Sequence, residues 1–110
     1  MLWQQTAVLT LALSNPGETV LLDFYADWCV NCKALDKKVY TKPETVEAAK
    51  GLTMLKIDVD KEPQLAKKYG VFRPPVAVFI GADGKVRKDL SFVGTKSLDE
   101  FVKLLQEFKK

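Results

Sequence analysis

Histidine does not occur anywhere in this chain of 110 residues. Its absence excludes every mechanism that needs an imidazole, Ser-His-Asp and Cys-His nucleophilic triads among them. Cysteine is nearly as scarce: with two thiols and no imidazole, a closed structural zinc site needs carboxylates or a second chain to complete it. Long hydrophobic runs are also missing, and none approaches the roughly 20 residues that span a bilayer. The opening Met1-Leu2-Trp3-Gln4-Gln5 has neither a positive n-region nor a small-residue cleavage site, so it does not read as a secretory signal. The apolar pattern starts so close to Met1 that any address signal of the natural protein is expected to have been cut away. A large charge of one sign is lacking too. Seventeen Lys+Arg stand against fourteen Asp+Glu, a formal charge of +3 spread along the chain. That is not the clustered basic face a nucleic acid requires, so no nucleic-acid partner is expected. Thiols, carboxylates, amines and the backbone remain for chemistry.

What is present suits one compact domain. No internal repeat, low-complexity stretch or linker divides residues 1–110, and the length suffices to bury a single core. Ala7 to Leu13 carries apolar residues at helical spacing and is stopped by Ser14-Asn15-Pro16-Gly17, and a short edge strand is expected at Leu2 to Gln5. Thr19 to Ala26 is a dense apolar and aromatic run with the composition of a strand buried on both faces. A helix is expected from Val30 to Val39, with Leu35 and Val39 inward and Lys33, Lys37 and Lys38 in water. A second helical piece runs from Pro43 to Ala49. Leu52 to Asp58 reads as a strand, Glu62 to Tyr69 as a helix closed by Gly70, and Val76 to Ile80 as a strand. Asp83-Gly84 signals a hairpin whose returning strand is Val86 to Val93. Ser97 and Glu100 form a capping box ahead of a terminal helix, with Phe101, Leu104, Leu105 and Phe108 on its apolar stripe. Strands alternating with helices and ending in a hairpin predict a three-layer α/β/α sandwich around a central mixed sheet.

The informative segment is Trp28-Cys29-Val30-Asn31-Cys32-Lys33, where the buried strand gives way to a helix. Thiols at i and i+3 of a helix start close a disulfide without unwinding the helix. The first also sits beside unpaired backbone N–H groups and the positive end of the helix dipole. Cys29 is therefore expected to be the more acidic, nucleophilic and reachable sulfur, and Cys32 the one that resolves a mixed disulfide formed at Cys29. Three other uses of the spacing stand beside this one: a metal pair, a structural staple and two inert buried thiols. The ring is too short for a useful staple, because the restraint on the unfolded chain grows with loop length.

The run Asp23-Phe24-Tyr25-Ala26-Asp27-Trp28-Cys29, with Cys32-Lys33, Tyr69-Gly70-Val71, Pro75-Val76, Asp83-Gly84 and Gly94, resembles the thioredoxin-fold family in order and spacing. The resemblance covers nearly the whole chain, from about Val20 to the C-terminus. Within the family, Tyr25-Ala26-Asp27-Trp28-Cys29-Val30, Lys37-Lys38-Val39-Tyr40 and Pro43-Glu44-Thr45-Val46 resemble the C-terminal periplasmic domains of DsbD-type transmembrane reductant conduits. Thioredoxins usually place Gly-Pro between the cysteines, where this chain has Val30-Asn31.

Around the dithiol, Asp23 lies mid-strand among Leu21, Leu22 and Phe24, so desolvation is expected to raise its pKa. The resemblance implies that it accepts the proton of Cys32 during exchange. Asp36 follows Cys32 by one helical turn and Cys29 by two, on their face, where its charge opposes thiolate formation; DsbD-like domains usually carry Glu there. Pro75 matches the family's cis-proline. The residue before it offers its backbone to an extended substrate, but here that residue is Pro74, which has no N–H. Arg73 replaces a common Gly and favours an acidic partner surface. Trp28 is read as partly exposed and in contact with partners, and Tyr25 has both a core and a functional reading. Met54 occupies the strand position where thioredoxins often place a lysine, which on this reading leaves Asp23 without a cation. Asp58, Asp60 and Glu62 read as a solvated loop.

The resemblance implies a protein-disulfide reductase that works through the redox-active Cys29–Cys32 pair and needs no cofactor. The donor it implies is a membrane-embedded dithiol domain, and the acceptors are periplasmic thiol proteins such as those of cytochrome c biogenesis. The domain is then a monomeric, soluble, periplasmic part of an inner-membrane protein. Two rivals stand beside it: a general cytoplasmic thioredoxin, and a non-enzymatic metal or peptide carrier.

Overall fold

The computed structural model describes residues 19–110. The helix expected at Ala7 to Leu13 and the edge strand expected at Leu2 to Gln5 lie outside the described residues. The strands are β1 (Val20–Tyr25), β2 (Thr53–Asp58), β3 (Val76–Ile80) and β4 (Phe92–Val93). The helices are α1 (Val30–Leu35), α2 (Pro43–Ala48), α3 (Pro63–Lys68) and α4 (Leu98–Phe108), with a π-helical turn over Asp36–Tyr40 directly after α1.

The strands form one mixed sheet in the order β2-β1-β3-β4, with β1 parallel to β2 and antiparallel to β3, and β4 antiparallel to β3. The central position of β1 and β3 follows from their composition. Every residue of VAVFI is buried, as is all of VLLDFY except the half-exposed Tyr25; such strands are stable only when both faces are covered.

Alternation along the strands divides the core in two. Leu21, Met54, Ala77 and Phe79 meet Leu35, Tyr40, Phe101, Leu105 and Phe108 from the layer of α1, α2 and α4. Val20, Leu22, Phe24, Leu55, Ile57 and Val78 face the opposite layer, to which α3 contributes Ala66. Each fully buried Leu or Phe contributes on the order of 1.5–3 kcal/mol, so both faces hold the sheet firmly. Asp23 shares the parity of Leu21, which puts its carboxyl on the side that α1 covers.

Local signals account for most of the boundaries. After α3, Gly70 at φ +70° turns the chain; its N–H donates to the Lys67 carbonyl and that of Val71 to the Ala66 carbonyl. Ser97 Oγ accepts the Glu100 N–H and Glu100 Oε1 accepts the Ser97 N–H, each at 3.1 Å, completing the expected capping box. Among the described residues no helix is long and apolar enough to cross a membrane.

Two expectations need correcting. The helix from Val30 does not stay α-helical to Val39, because the turn widens over Asp36–Tyr40 and brings both Val39 and Tyr40 inward, where the Tyr40 ring meets that of Phe101 at a tilt, with centroids 4.9 Å apart. The returning strand is not continuous from Val86 to Val93 either. Val86 makes a single bridge to Ile80, and the chain then turns so that Leu90 enters the core. Ser91 Oγ takes over the ladder by accepting the Phe79 N–H at 3.0 Å, before Phe92–Val93 pairs with Ala77 and Val76.

Candidate functional site

Strand β1 ends at Tyr25, and the Cys29 N–H closes a turn onto the Ala26 carbonyl at 3.1 Å. That turn sets Cys29 in an extended conformation (φ −85°, ψ 105°) as the N-cap of α1. A cap residue normally offers a side-chain oxygen to the first free N–H groups. Here Cys29 Sγ takes that place and accepts the Cys32 N–H at 3.1 Å. Cys29 and Cys32 are joined in a disulfide, with Cα atoms 5.2 Å apart. Exposure does not separate the two residues, at 5% and 4% of their surface, so the expected difference in reach is not seen in the oxidised state. The cap does separate them: Cys29 Sγ accepts a helix N–H, and among the described residues Cys32 Sγ has no such bond.

Beneath α1, whose buried residues are Cys32 and Leu35, lies Asp23, 2% exposed. Among the described residues its Oδ2 has no hydrogen-bond partner. Burial lifts the carboxyl from 3.8 to about 7; the Lys56 charge opposes the rise and the Asp36 charge adds to it. The expectation that Asp23 lacks a cation is therefore wrong. Met54 pairs with Leu21 and is packed in the core, whereas Lys56, two residues on and on the same face, lies across the ladder from Asp23.

Asp36 is half-buried at the start of the π-helical turn and bonds Lys56 Nζ through Oδ2 at 2.8 Å. The same ammonium stands 4.7 Å from the centre of the Tyr25 ring. Burial works against the charge on Lys56, but Asp36 and Asp23 outweigh it and hold the ammonium above its ordinary pKa. Asp36 is thus more than a solvated helix-face carboxylate: it belongs to a partly buried chain of charges, Asp36–Lys56–Asp23, and contributes to the high pKa of Asp23.

At the rim, Trp28 is 61% exposed, and its Nε1 donates to Asp60 Oδ2 at 2.9 Å. Asp60 is held in turn by its own N–H on Asp58 Oδ1, also at 2.9 Å. The acidic loop after β2 therefore does more than face solvent, since it fixes the indole beside the dithiol. The Pro74–Pro75 peptide bond is cis, as the resemblance implied. Both prolines are buried, Arg73 before them is exposed, and the Pro75 carbonyl accepts the Gly94 N–H at 2.9 Å.

Three residues of this region escaped sequence reasoning. Lys56 carried a signal, a lysine inside the strand TMLKID at the parity of Met54. Phe72, 98% exposed, also carried one, as an aromatic between a helix-ending Gly and a Pro pair. Asp60 carried none, because nothing in sequence order links it to Trp28.

A thioredoxin family profile matches residues 4–107 of the chain. The chain is 38% identical over 90 residues to the thiol:disulfide interchange protein DsbD of Pseudomonas fluorescens, an overlap of 78% of this chain and 15% of that protein. Against DsbD of Neisseria meningitidis serogroup A it is 31% identical over 107 residues, 94% of this chain and 18% of the relative. The chain thus spans less than a fifth of the length of these curated relatives. Among solved structures, the reduced DsbD C-terminal domain of Neisseria meningitidis superposes with a TM-score of 0.76 at 29% identity, covering 97% of this chain and 99% of that one. A thioredoxin variant from Halobacterium salinarum gives a TM-score of 0.75 at 31% identity, covering 98% of this chain and 88% of that one. With the fold, the capped dithiol and these likenesses in agreement, the chain belongs to the thioredoxin family, as a thiol–disulfide oxidoreductase domain of the DsbD type.

Proposed function

We propose that this domain works as a reductant, taking electrons from a membrane-embedded dithiol domain and passing them to the disulfides of periplasmic partner proteins. The observation that carries the proposal is the capping of α1 by Cys29 Sγ. In the reduced domain the same N–H and the helix dipole stabilise a thiolate at Cys29. That thiolate attacks one sulfur of the partner disulfide; a Cys29–partner disulfide forms and the first partner thiolate leaves. Cys32 then passes its proton to ionised Asp23 and attacks Cys29 Sγ, releasing the second partner thiolate. The partner gains two electrons and the domain is left as the Cys29–Cys32 disulfide.

A carboxyl with a pKa of about 7 suits that proton transfer, because both of its forms are populated near neutral pH. Trp28, Arg73, Pro74 and Pro75 are assigned to partner contact, and Asp36 to tuning the charge around the dithiol. The likeness to one domain of much longer DsbD proteins supports a membrane donor and a periplasmic setting.

Two measurements test this. Cys32→Ser, incubated with oxidised partner proteins, is expected to accumulate a covalent complex through Cys29, seen by mass spectrometry under non-reducing conditions. The equilibrium potential against a glutathione couple is expected on the reducing side. A value as oxidising as that of the strongest disulfide donors overturns the assignment.

A further inference from the structure

Where α3 ends, Lys68, Tyr69 and Gly70 line a groove of about 420 Å³ together with residues of β3, of β4 and of the stretch that joins them. None of its lining residues belongs to the dithiol cluster of Tyr25, Ala26, Cys29, Cys32 and Val59. Its volume is that of a small-molecule site. Val76 and Val78 belong to the core on the α3 side of the sheet, and Val93, directly across the ladder from Val76, shares that side.

The chemistry of the lining selects a ligand. Its open apolar surface is aliphatic: Val93 is 75% exposed and Val86 38%. Stacking on an aromatic ring is largely taken up already. The Tyr69 ring meets that of Phe24, with centroids 6.0 Å apart, and carries the Lys68 ammonium 5.6 Å from its centre. Phe92 packs against the core of the opposite sheet face. Charge in the groove has one sign. Lys68 and Lys88 line it, no acidic side chain does, and neither lysine makes an ion pair among the described residues. Asp89, next to Lys88, is held instead by the Arg87 guanidinium at 3.0 and 2.9 Å. Aliphatic surface with two cations outside any ion pair complements a molecule that has an aliphatic body and one anionic end.

We propose that this groove binds a linear aliphatic carboxylate, a medium-chain acyl anion, its chain taken up by the valines and its carboxylate by Lys68 and Lys88. The site needs nothing from the dithiol, so it stands or falls separately from the reductant reading.

The test titrates the full, isotope-labelled chain with sodium hexanoate, octanoate and decanoate, each below its micelle concentration, and follows the backbone amides by NMR. Saturable shifts are expected at Gly70, Val78 and Val93. Affinity is expected to rise about fourfold for every two carbons, as half-burial of each CH₂ implies. Decylamine, the same chain with a cationic end, is expected to bind at least about tenfold more weakly than decanoate. In Lys88→Glu that preference is expected to shrink to within about twofold, and in Val93→Ser the gain per two carbons is expected to fall to about twofold. Both positions are exposed, so neither change removes core packing. Decanoate that never saturates, shifts centred on Trp28 and Phe72 instead, or equal binding of decylamine overturns the assignment. So does a chain that ignores decanoate yet sediments with phosphatidylglycerol vesicles, which would make the two lysines part of a membrane-facing surface.

Discussion

Lys56 faces Asp23 across the parallel ladder of β1 and β2, yet its ammonium is bonded to a different carboxylate, that of Asp36, at 2.8 Å. One cation therefore serves two acids. The Lys56 charge lowers the pKa of Asp23, but burial outweighs it: among the described residues Asp23 Oδ2 has no hydrogen-bond partner, and the carboxyl sits at about 7. A direct bond from Lys56 to Asp23 would hold the proton less tightly.

The raised pKa of Asp23 has a consequence for stability. The folded value, about 7, lies above the ordinary 3.8, so the folded state keeps a proton that the unfolded state has lost between those limits. Stability is thus greatest below about pH 4 in this respect and falls as pH rises to 7, by about 4 kcal/mol in all. Asp23→Asn is expected to remove that slope and to stabilise the domain at pH 8, while slowing the resolving step. Urea unfolding at pH 5, 7 and 8.5 measures the first effect and stopped-flow fluorescence the second. Unchanged exchange kinetics would remove Asp23 from the mechanism.

Replacing the two charges that flank Asp23 is expected to act in opposite directions. Lys56→Met removes the cation that lowers the Asp23 pKa, so the pH dependence of the resolving step moves up. Asp36→Asn removes an anion that raises it, so the dependence moves down. Either change breaks a partly exposed ion pair and costs about 0.5–1 kcal/mol in stability. Carbon-detected NMR titration of the Asp23 carboxyl in both variants reports the directions, and shifts of the same sign would contradict the arrangement.

The cap at Cys29 predicts a difference between the thiols that exposure does not. In the reduced domain at neutral pH, iodoacetamide is expected to modify Cys29 at least about tenfold faster than Cys32, because only Cys29 has its thiolate stabilised at the helix start. Peptide mapping after timed alkylation gives the ratio. Equal rates would sink the assignment of Cys29 as nucleophile.

Asp60→Ala is expected to release the Trp28 indole at a cost of about 1 kcal/mol or less, as suits an exposed hydrogen bond. Fluorescence anisotropy in a Trp3→Phe background, which leaves Trp28 as the sole tryptophan, should fall, and partner reduction should slow a few-fold. An anisotropy equal to that of the parent would show that Asp60 does not hold the ring.

Away from the site, Ser91→Ala leaves the Phe79 N–H of the central strand without the hydroxyl that now accepts from it. A loss of about 1–3 kcal/mol in denaturant unfolding is expected, more than for a typical surface serine.

Much of the molecule was legible in residue order because the interactions that make it are local. The unbroken apolar run of VAVFI marked a central strand, Ser97 and Glu100 marked a helix start, Gly70 marked a helix end, and Cys29 and Cys32 marked a dithiol at the mouth of a helix. Those signals depend on neighbours within a turn or a strand, which the chain carries in its own order. Where distant segments meet, residue order misled or was silent. Met54 stood for the missing cation until the register placed Lys56 opposite Asp23. The apparent return strand from Val86 gave way to a turn that sets Leu90 in the core. Trp28 found its partner 32 residues away. By itself, then, the sequence determined a thioredoxin-like domain with a dithiol at the start of a helix. The tertiary structure alone decided which charges surround the buried acid and which aromatics stand open to a partner, because charge pairing and exposure depend on how separate strands and loops are set against one another.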